Sequence, residues 1–236
     1  WRLGWKVLAV NLSDLAAMGA EPAWVTLAVT LPAIDDSWLA AFMQGFSALA
    51  RQQGVQLVGG DTTRGPMAFT LQAHGLLEAG RALLRSGARP GDTLYVTGNL
   101  GGAGAALKSL LDGDLQIPDV LRRSLEQPEP RVTPGRLLVG IASSCIDLSD
   151  GLAGDLGHIL DASGCGATVE LERLPLLPET RVFMQRYDDW QLPLIAGDDY
   201  ELLFSVPQSR EQALRAVEPK LGCRVTRIGR IEAEPG

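Results

Sequence analysis

Apolar positions at Leu8, Leu12 and Leu15 repeat at helical spacing and predict a helix over 5–18 that stops near Gly19. Asn11 and Asp14 share another face of that helix. From Ala23 to Leu31 the period drops to two. Val25, Leu27, Val29 and Leu31 alternate with Trp24, Thr26, Ala28 and Thr30, as in a half-buried strand. Asp36 and Ser37 are placed to cap a second helix running to about Gly54, with Leu39, Phe42, Phe46 and Leu49 as its core stripe. A short strand then reaches Gly59-Gly60-Asp61, and alternation over 67–77 predicts a third. This order of elements reads as α/β with a mixed sheet.

Residues 81–92 contain Ser86-Gly87-Ala88 and Arg89-Pro90-Gly91-Asp92, turn chemistry without an apolar period. The boundary between two domains is therefore expected there, giving 1–84 and 85–236. The second unit has predicted strands at 93–97, around Ile146, and at 167–171, 200–206 and 224–228. Its predicted helices are 101–111, 118–125, 134–142, 151–162, 179–187 and 209–217. No repeat of fixed period and no low-complexity segment interrupts the pattern.

With 236 residues, 46% of them hydrophobic, the chain is long enough for either one large core or two modest ones, with two domains the favoured division. The balance of 28 Asp+Glu against 21 Lys+Arg argues against a sequence-independent grip on nucleic acid, which needs a basic surface. A polyanionic ligand would have to arrive with divalent cations. Cys145, Cys165 and Cys223 are widely spaced and odd in number, which suggests neither a disulfide framework nor a zinc site. No apolar stretch approaches the roughly 20 residues of a membrane span, and no leader pattern opens the chain. The expectation is a soluble, cytoplasmic protein. Because Trp1 runs almost directly into the first helix, the chain also reads as part of a longer protein.

Candidate chemistry follows from glycines and acids. Residues 102–109, Gly-Ala-Gly-Ala-Ala-Leu-Lys-Ser, approach a phosphate-loop pattern, but Leu107 stands where the glycine before the lysine is required. The same stretch lacks the third glycine of a dinucleotide fingerprint. A plain strand-to-helix turn with an exposed Lys108 is the reading adopted. Four acidic clusters remain. Asp14 sits inside a helix with no capping task and is either a surface acid or a ligand. Asp61 ends a strand in a polar stretch that reads as a turn or a site. Asp147-Leu148-Ser149-Asp150 precedes a helix, so either Ser149 or Asp150 can be its N-cap while the other acid stays unexplained. Asp198, Asp199 and Glu201 crowd the approach to an apolar strand, where solvation is the plain alternative. Dispersed carboxylates suit Mg²⁺, which takes hard oxygen ligands and pairs one or two acids with substrate phosphates. Phosphoryl transfer asks little more of a protein than such positioning. His74 and His158 form no metal-binding pattern, and the cysteines have no sequence-visible base.

Five segments in one order carry a family resemblance: NLSDLAAMGA at 11–20, GGDTTRGP at 59–66, RSGARPGD at 85–92, IDLSDGL at 146–152 and GDDYELLF at 197–204. Together they closely resemble the thiamine-monophosphate kinases of the aminoimidazole ribonucleotide synthetase-like superfamily. The resemblance implies a two-domain α/β (α+β) fold: a mixed-sheet N-terminal domain that binds ATP and Mg²⁺, then an α/β C-terminal domain, with a homodimer formed through the N-terminal sheets. It implies Asp14, Asp61, Asp147 and Asp150 as Mg²⁺ ligands, with Asp61 and Asp147 catalytic. It further implies Gly60, Asp61, Arg85 and Ser149 at ATP, and Asp198 at the substrate. Family members usually read Gly-Gly-Glu-Asp-Tyr-Glu where this chain has Ala196-Gly197-Asp198-Asp199-Tyr200-Glu201. The charge at Asp198 is kept on a shorter side chain.

The activity so implied is ATP-dependent phosphorylation of thiamine monophosphate to thiamine diphosphate by direct in-line transfer. Two alternatives stand beside it: another ATP-using enzyme of the superfamily, and a non-catalytic nucleotide-binding or dimerisation module. The resemblance also implies further aspartates and a substrate-contacting histidine upstream, and an aromatic near the C-terminus, none of which these 236 residues contain. A molecule made of these residues alone is expected to turn over little substrate.

Overall fold

The computed structural model describes residues 1–114 and 116–234. Helix α1 (Arg2–Ala17) leads into β1 (Glu21–Leu31), α2 (Asp36–Gln53), β2 (Gln56–Arg64) and β3 (Ala68–Leu76). These strands form a three-stranded sheet in the order β2-β1-β3, with β1 parallel to β2 and antiparallel to β3. The predicted mixed sheet is present. Val25, Leu27, Val29 and Leu31 are buried beneath α1 and α2, alongside Leu8, Leu12, Phe42, Phe46 and Leu49. The opposite face is open, and every residue of β2 is exposed. The cap of α2 is Asp35, whose carboxylate accepts from the Trp38 N–H at 3.0 Å. Asp36 and Ser37 are not that cap, because only a residue in extended conformation before the first turn can reach the N–H three positions on.

The second sheet orders β5 (Ser144–Asp147), β7 (Leu202–Val206), β4 (Thr93–Thr97), β8 (Val225–Glu232) and β6 (Gly166–Val169), antiparallel throughout. Around it lie α3 (Gly102–Leu111), α4 (Asp119–Glu126), α5 (Val132–Leu138), α6 (Leu152–Ser163), α7 (Pro178–Tyr187), α8 (Leu192–Ile195) and α9 (Glu211–Val217). The fold is thus α/β with two sheets, and α1 joins them. One apolar cluster runs from Leu8, Val25 and Phe42 through Leu138 to Cys145, Phe204 and Val206, so the first sheet and the second share a core. A second cluster, with Leu94, Ile146, Leu156 and Ile228, fills the other side of the five-stranded sheet.

Candidate active site

Lys6 and Ser13 are seven residues apart on α1, two turns along one face. The buried Ser13 hydroxyl donates to Asp147 Oδ2 at 2.7 Å. The Lys6 ammonium donates to Asp198 Oδ2, also at 2.7 Å. Asp14 follows Ser13 immediately and remains accessible to solvent. Its carboxyl is nevertheless raised above the ordinary range, first by partial burial and then by the charge of Asp147, against the pull of Arg85. One helix thereby brings a metal-type acid and two polar pins to the second sheet.

The two acid-rich segments of that sheet hold each other by their backbones. Leu148 N–H donates to Glu201 O, Tyr200 N–H to Leu148 O, and Asp198 N–H to Ser149 O, all at 2.8–2.9 Å. Strand β5 delivers Asp147 to its end, and the chain then turns through Ser149 and Asp150 into α6. Neither Ser149 nor Asp150 caps α6; Gly151 holds that position without a side-chain bond. The buried Asp155, inside the helix, accepts instead from the Asp150 N–H at 3.0 Å. Asp198 has its second oxygen occupied by the Tyr200 hydroxyl, which donates at 2.8 Å.

Electrostatics tie these groups together. Asp147 is buried, and burial raises its carboxyl, while the Ser13 hydrogen bond and Arg85 lower it and Asp150 raises it again. Asp155 is raised by burial first and also by Asp150 and Asp147. A cavity of about 410 Å³ opens among Asp14, Met18, Leu84, Arg85, Ser86 and Asp147. Asp14, Arg85, Asp147, Ser149, Asp150 and Asp198 are thus gathered along α1 and at one end of the second sheet. Among the described residues no group of three or more His, Cys, Asp or Glu can hold a metal by itself. Asp14, Asp147 and Asp150 are hard oxygen donors, and one or two carboxylates per Mg²⁺ would suffice where phosphate and water oxygens complete the shell. Mutual repulsion among hard oxygen donors is relieved by such a cation.

No hydrogen bond or ion pair among the described residues joins Asp61 or Gly60 to this group. The register pairs Asp61 with Ala28, on the open side of the first sheet, and its carboxylate accepts from the neighbouring Thr62 N–H at 2.8 Å. Gly60 has a packing reason of its own: a Cβ there would lie 1.9 Å from the Leu27 carbonyl oxygen. Lys108, expected on the exposed helix face, has 43% of its side chain exposed and also has partners. It pairs with Asp189 at 2.9 Å and lies over the rings of Phe183 and Tyr187, remote from any phosphate-loop geometry. All three thiols are raised by burial, Cys223 to about 11, which keeps them protonated and inert. Lys6, Ser13, Tyr200 and Asp155 received no role from the sequence. Asp155 had a signal, an acid within the stripe of Leu152, Leu156 and Ile159, whereas Lys6 and Ser13 are revealed only by long-range contacts and Tyr200 by its bond to Asp198 two positions away.

Residues 1–77 match the family described as AIR synthase related protein, N-terminal domain, and residues 89–236 match its C-terminal domain. The thiamine-monophosphate kinase of Salmonella typhimurium is 49% identical over 241 residues, spanning 98% of this chain and 73% of the relative. The crystal structure of thiamine-monophosphate kinase from Stenotrophomonas maltophilia superposes with a TM-score of 0.95 at 44% identity, covering 100% of this chain and 77% of that one. A structure of AaThiL complexed with AMPPCP and TMP superposes with a TM-score of 0.87 at 29% identity, covering 100% of this chain and 75% of that one.

Proposed function

Because the chain belongs to the thiamine-monophosphate kinases within the AIR synthase related proteins, we propose that it moves the γ-phosphate of ATP onto thiamine monophosphate, yielding thiamine diphosphate and ADP. It is an enzyme of the phosphotransferase class with a phosphate group as acceptor. The observation that carries the reading is the meeting of Asp14, Arg85 and Asp147 around one cavity, with Asp150 near enough to act on Asp147, in a fold shared with a relative complexed with AMPPCP and TMP.

In this proposal Asp14, Asp147 and Asp150 hold Mg²⁺, and Asp61 serves metal and nucleotide together with Gly60. Bound Mg²⁺ supplies charge neutralisation at the phosphates. Arg85 adds a fixed positive charge beside Asp14 and Asp147, suited to phosphate oxygens. Ser13 keeps Asp147 oriented through its hydrogen bond, and Ser149 meets the nucleotide. Asp198 meets the substrate from the rim of a neighbouring, largely apolar cavity. The phosphate oxygen of thiamine monophosphate attacks the γ-phosphorus directly, so no protein nucleophile is required.

The boundary near 84, a cytoplasmic location and a homodimer through the open face of the first sheet belong to the same proposal. No helix among the described residues is long and apolar enough to cross a membrane. The test is full-length protein with Mg²⁺, ATP and thiamine monophosphate, assayed for thiamine diphosphate. Asp61→Ala and Asp147→Asn are each expected to lower kcat/KM at least about tenfold, the scale of a lost transition-state contact. Lys108→Ala should leave turnover near the parent's. Absence of product from the unmodified protein would discard the reading, and ATP binding without transfer would favour a non-catalytic module. Harmless Asp61→Ala beside a damaging Lys108→Ala would restore the phosphate-loop alternative.

A further inference from the structure

Asp198 is held more firmly than a residue awaiting a ligand requires. Lys6 Nζ binds one carboxylate oxygen at 2.7 Å and the Tyr200 hydroxyl binds the other at 2.8 Å. Asp198 and Tyr200 both have positive φ, 69° and 50°, a region that residues other than glycine enter only when their surroundings enforce it. The Asp198 N–H is fixed to Ser149 O, so the backbone of this segment belongs to the acid cluster. Lys6 alone among these partners comes from α1. Its ammonium and the Asp198 carboxylate are both partly exposed, 24% and 33%, and a pair so placed contributes little to stability. Its position does more. Asp198 lies between the acid cluster and a cavity of about 380 Å³ lined by Leu107, Ile195 and Ser149.

We propose that Lys6 is a positioning residue of the substrate end of the site: its ammonium fixes the Asp198 carboxylate at the cavity rim and ties that rim to the helix carrying Asp14. The proposal rests on the kinase reading above, because it takes Asp198 as the acid that meets the acceptor substrate. Lysine suits the task, since its compact charge on a long stem spans from α1 to the 198–200 segment and leaves two N–H donors unspent on Asp198. With Lys6 removed, Asp198 keeps only Tyr200, and its carboxylate regains rotamer freedom toward the cavity. Substrate binding should suffer, while nucleotide binding, which uses other groups, should not.

Steady-state kinetics on full-length protein separate these effects, using Lys6→Met, Lys6→Arg, Asp198→Asn and the double variant Lys6→Met/Asp198→Asn. Lys6→Met is expected to raise KM for thiamine monophosphate about tenfold while KM for ATP stays within about twofold. Lys6→Arg should recover most of the loss, because a guanidinium also reaches a carboxylate. The double variant should be no worse than Asp198→Asn alone, as expected when one residue acts through the other. Unchanged KM for thiamine monophosphate in Lys6→Met overturns the proposal, as do effects that multiply in the double variant. So does a loss of kcat matched by a fall in melting temperature. An unmodified protein that makes no thiamine diphosphate sinks the kinase reading itself, an outcome separate from an active parent indifferent to Lys6.

Discussion

Asp198 and Asp199 are neighbours held in different ways. Asp198 faces two donors from side chains, whereas Asp199 turns both oxygens to the N–H of Gly101, at 3.0 and 2.9 Å. Burial pushes the Asp199 carboxyl well above the usual carboxylate range, more than the Gly101 hydrogen bond lowers it, and Glu201 and Asp198 add to the rise. In the unfolded chain the same group titrates near about 3.9. Between the two values the folded protein binds the extra proton. Its contribution to stability is therefore complete below the unfolded pKa and is lost as pH rises through the folded one. Asp199→Asn abolishes the ionisation and keeps an oxygen for Gly101. Its melting temperature is expected to fall less than the parent's on going from about pH 4 to about pH 8. Superimposable profiles would show that the carboxylate is solvated after all.

At this scale the sequence exposes residue types but not their partners. Asp14, Asp147, Asp150 and Asp198 are visible because acids interrupt patterned elements, and the structure draws these four into one region. Ser13 and Lys6 are ordinary polar positions on a helix until chain segments more than a hundred residues away arrive beside them. The capping roles expected of Ser149 and Asp150 fail for a related reason. The backbone there is committed to the 198–201 segment, a constraint with no local mark.

Among the elements, periodicity locates every strand and the long helices to within a few residues. Helix α8 escapes because four residues containing Pro193 show no period. Helix α5 is shorter than its apolar pattern, ending at Leu138 shortly before Gly140, which has φ 80°. What periodicity does not show is how closely α1 and α5 approach. A Cβ on Gly135 would lie 1.9 Å from the Ala16 carbonyl oxygen, a backbone atom that cannot rotate aside. Alanine would gain about 1 kcal/mol of helix propensity, while forced separation of packed elements costs about 1–3 kcal/mol. Gly135→Ala should therefore be destabilised on balance, losing roughly 2–4 °C of melting temperature per kcal/mol. Ser13 and Asp14 lie within a turn of Ala16, so kcat/KM should fall further than stability does. A variant as stable and active as its parent would mean that α1 shifts freely.

Across the whole molecule the least finished surface is the open face of the first sheet. Trp24 is 40% exposed there, stacked on His74 at 5.5 Å, and Val58 and Leu76 on the same sheet are exposed as well. Apolar exposure on a sheet whose other face buries Val25, Leu27, Val29 and Leu31 suits a second copy of the chain. The homodimer proposal predicts sedimentation of the full-length protein at twice its chain mass. Trp24→Glu should move it toward the monomer without unfolding it, because the side chain lies outside the core. Sedimentation of the unmodified protein as a monomer at micromolar concentration would reject the dimer. Sequence made the two sheets legible but not their shared core, since a buried Leu138 or Phe204 reads the same whichever sheet it covers.

The pins on α1 join residues 134 and 192 positions apart in the chain. A ribosome adding about 5–20 residues per second needs roughly 10–40 seconds between making Lys6 and making Asp198. Throughout that interval the apolar face of α1 waits for Leu138 and Phe204, and its Ser13 hydroxyl for Asp147. Birth order therefore sets the hazard: α1 must be shielded until the segment around Asp198 has emerged, and the catalytic geometry cannot form before then.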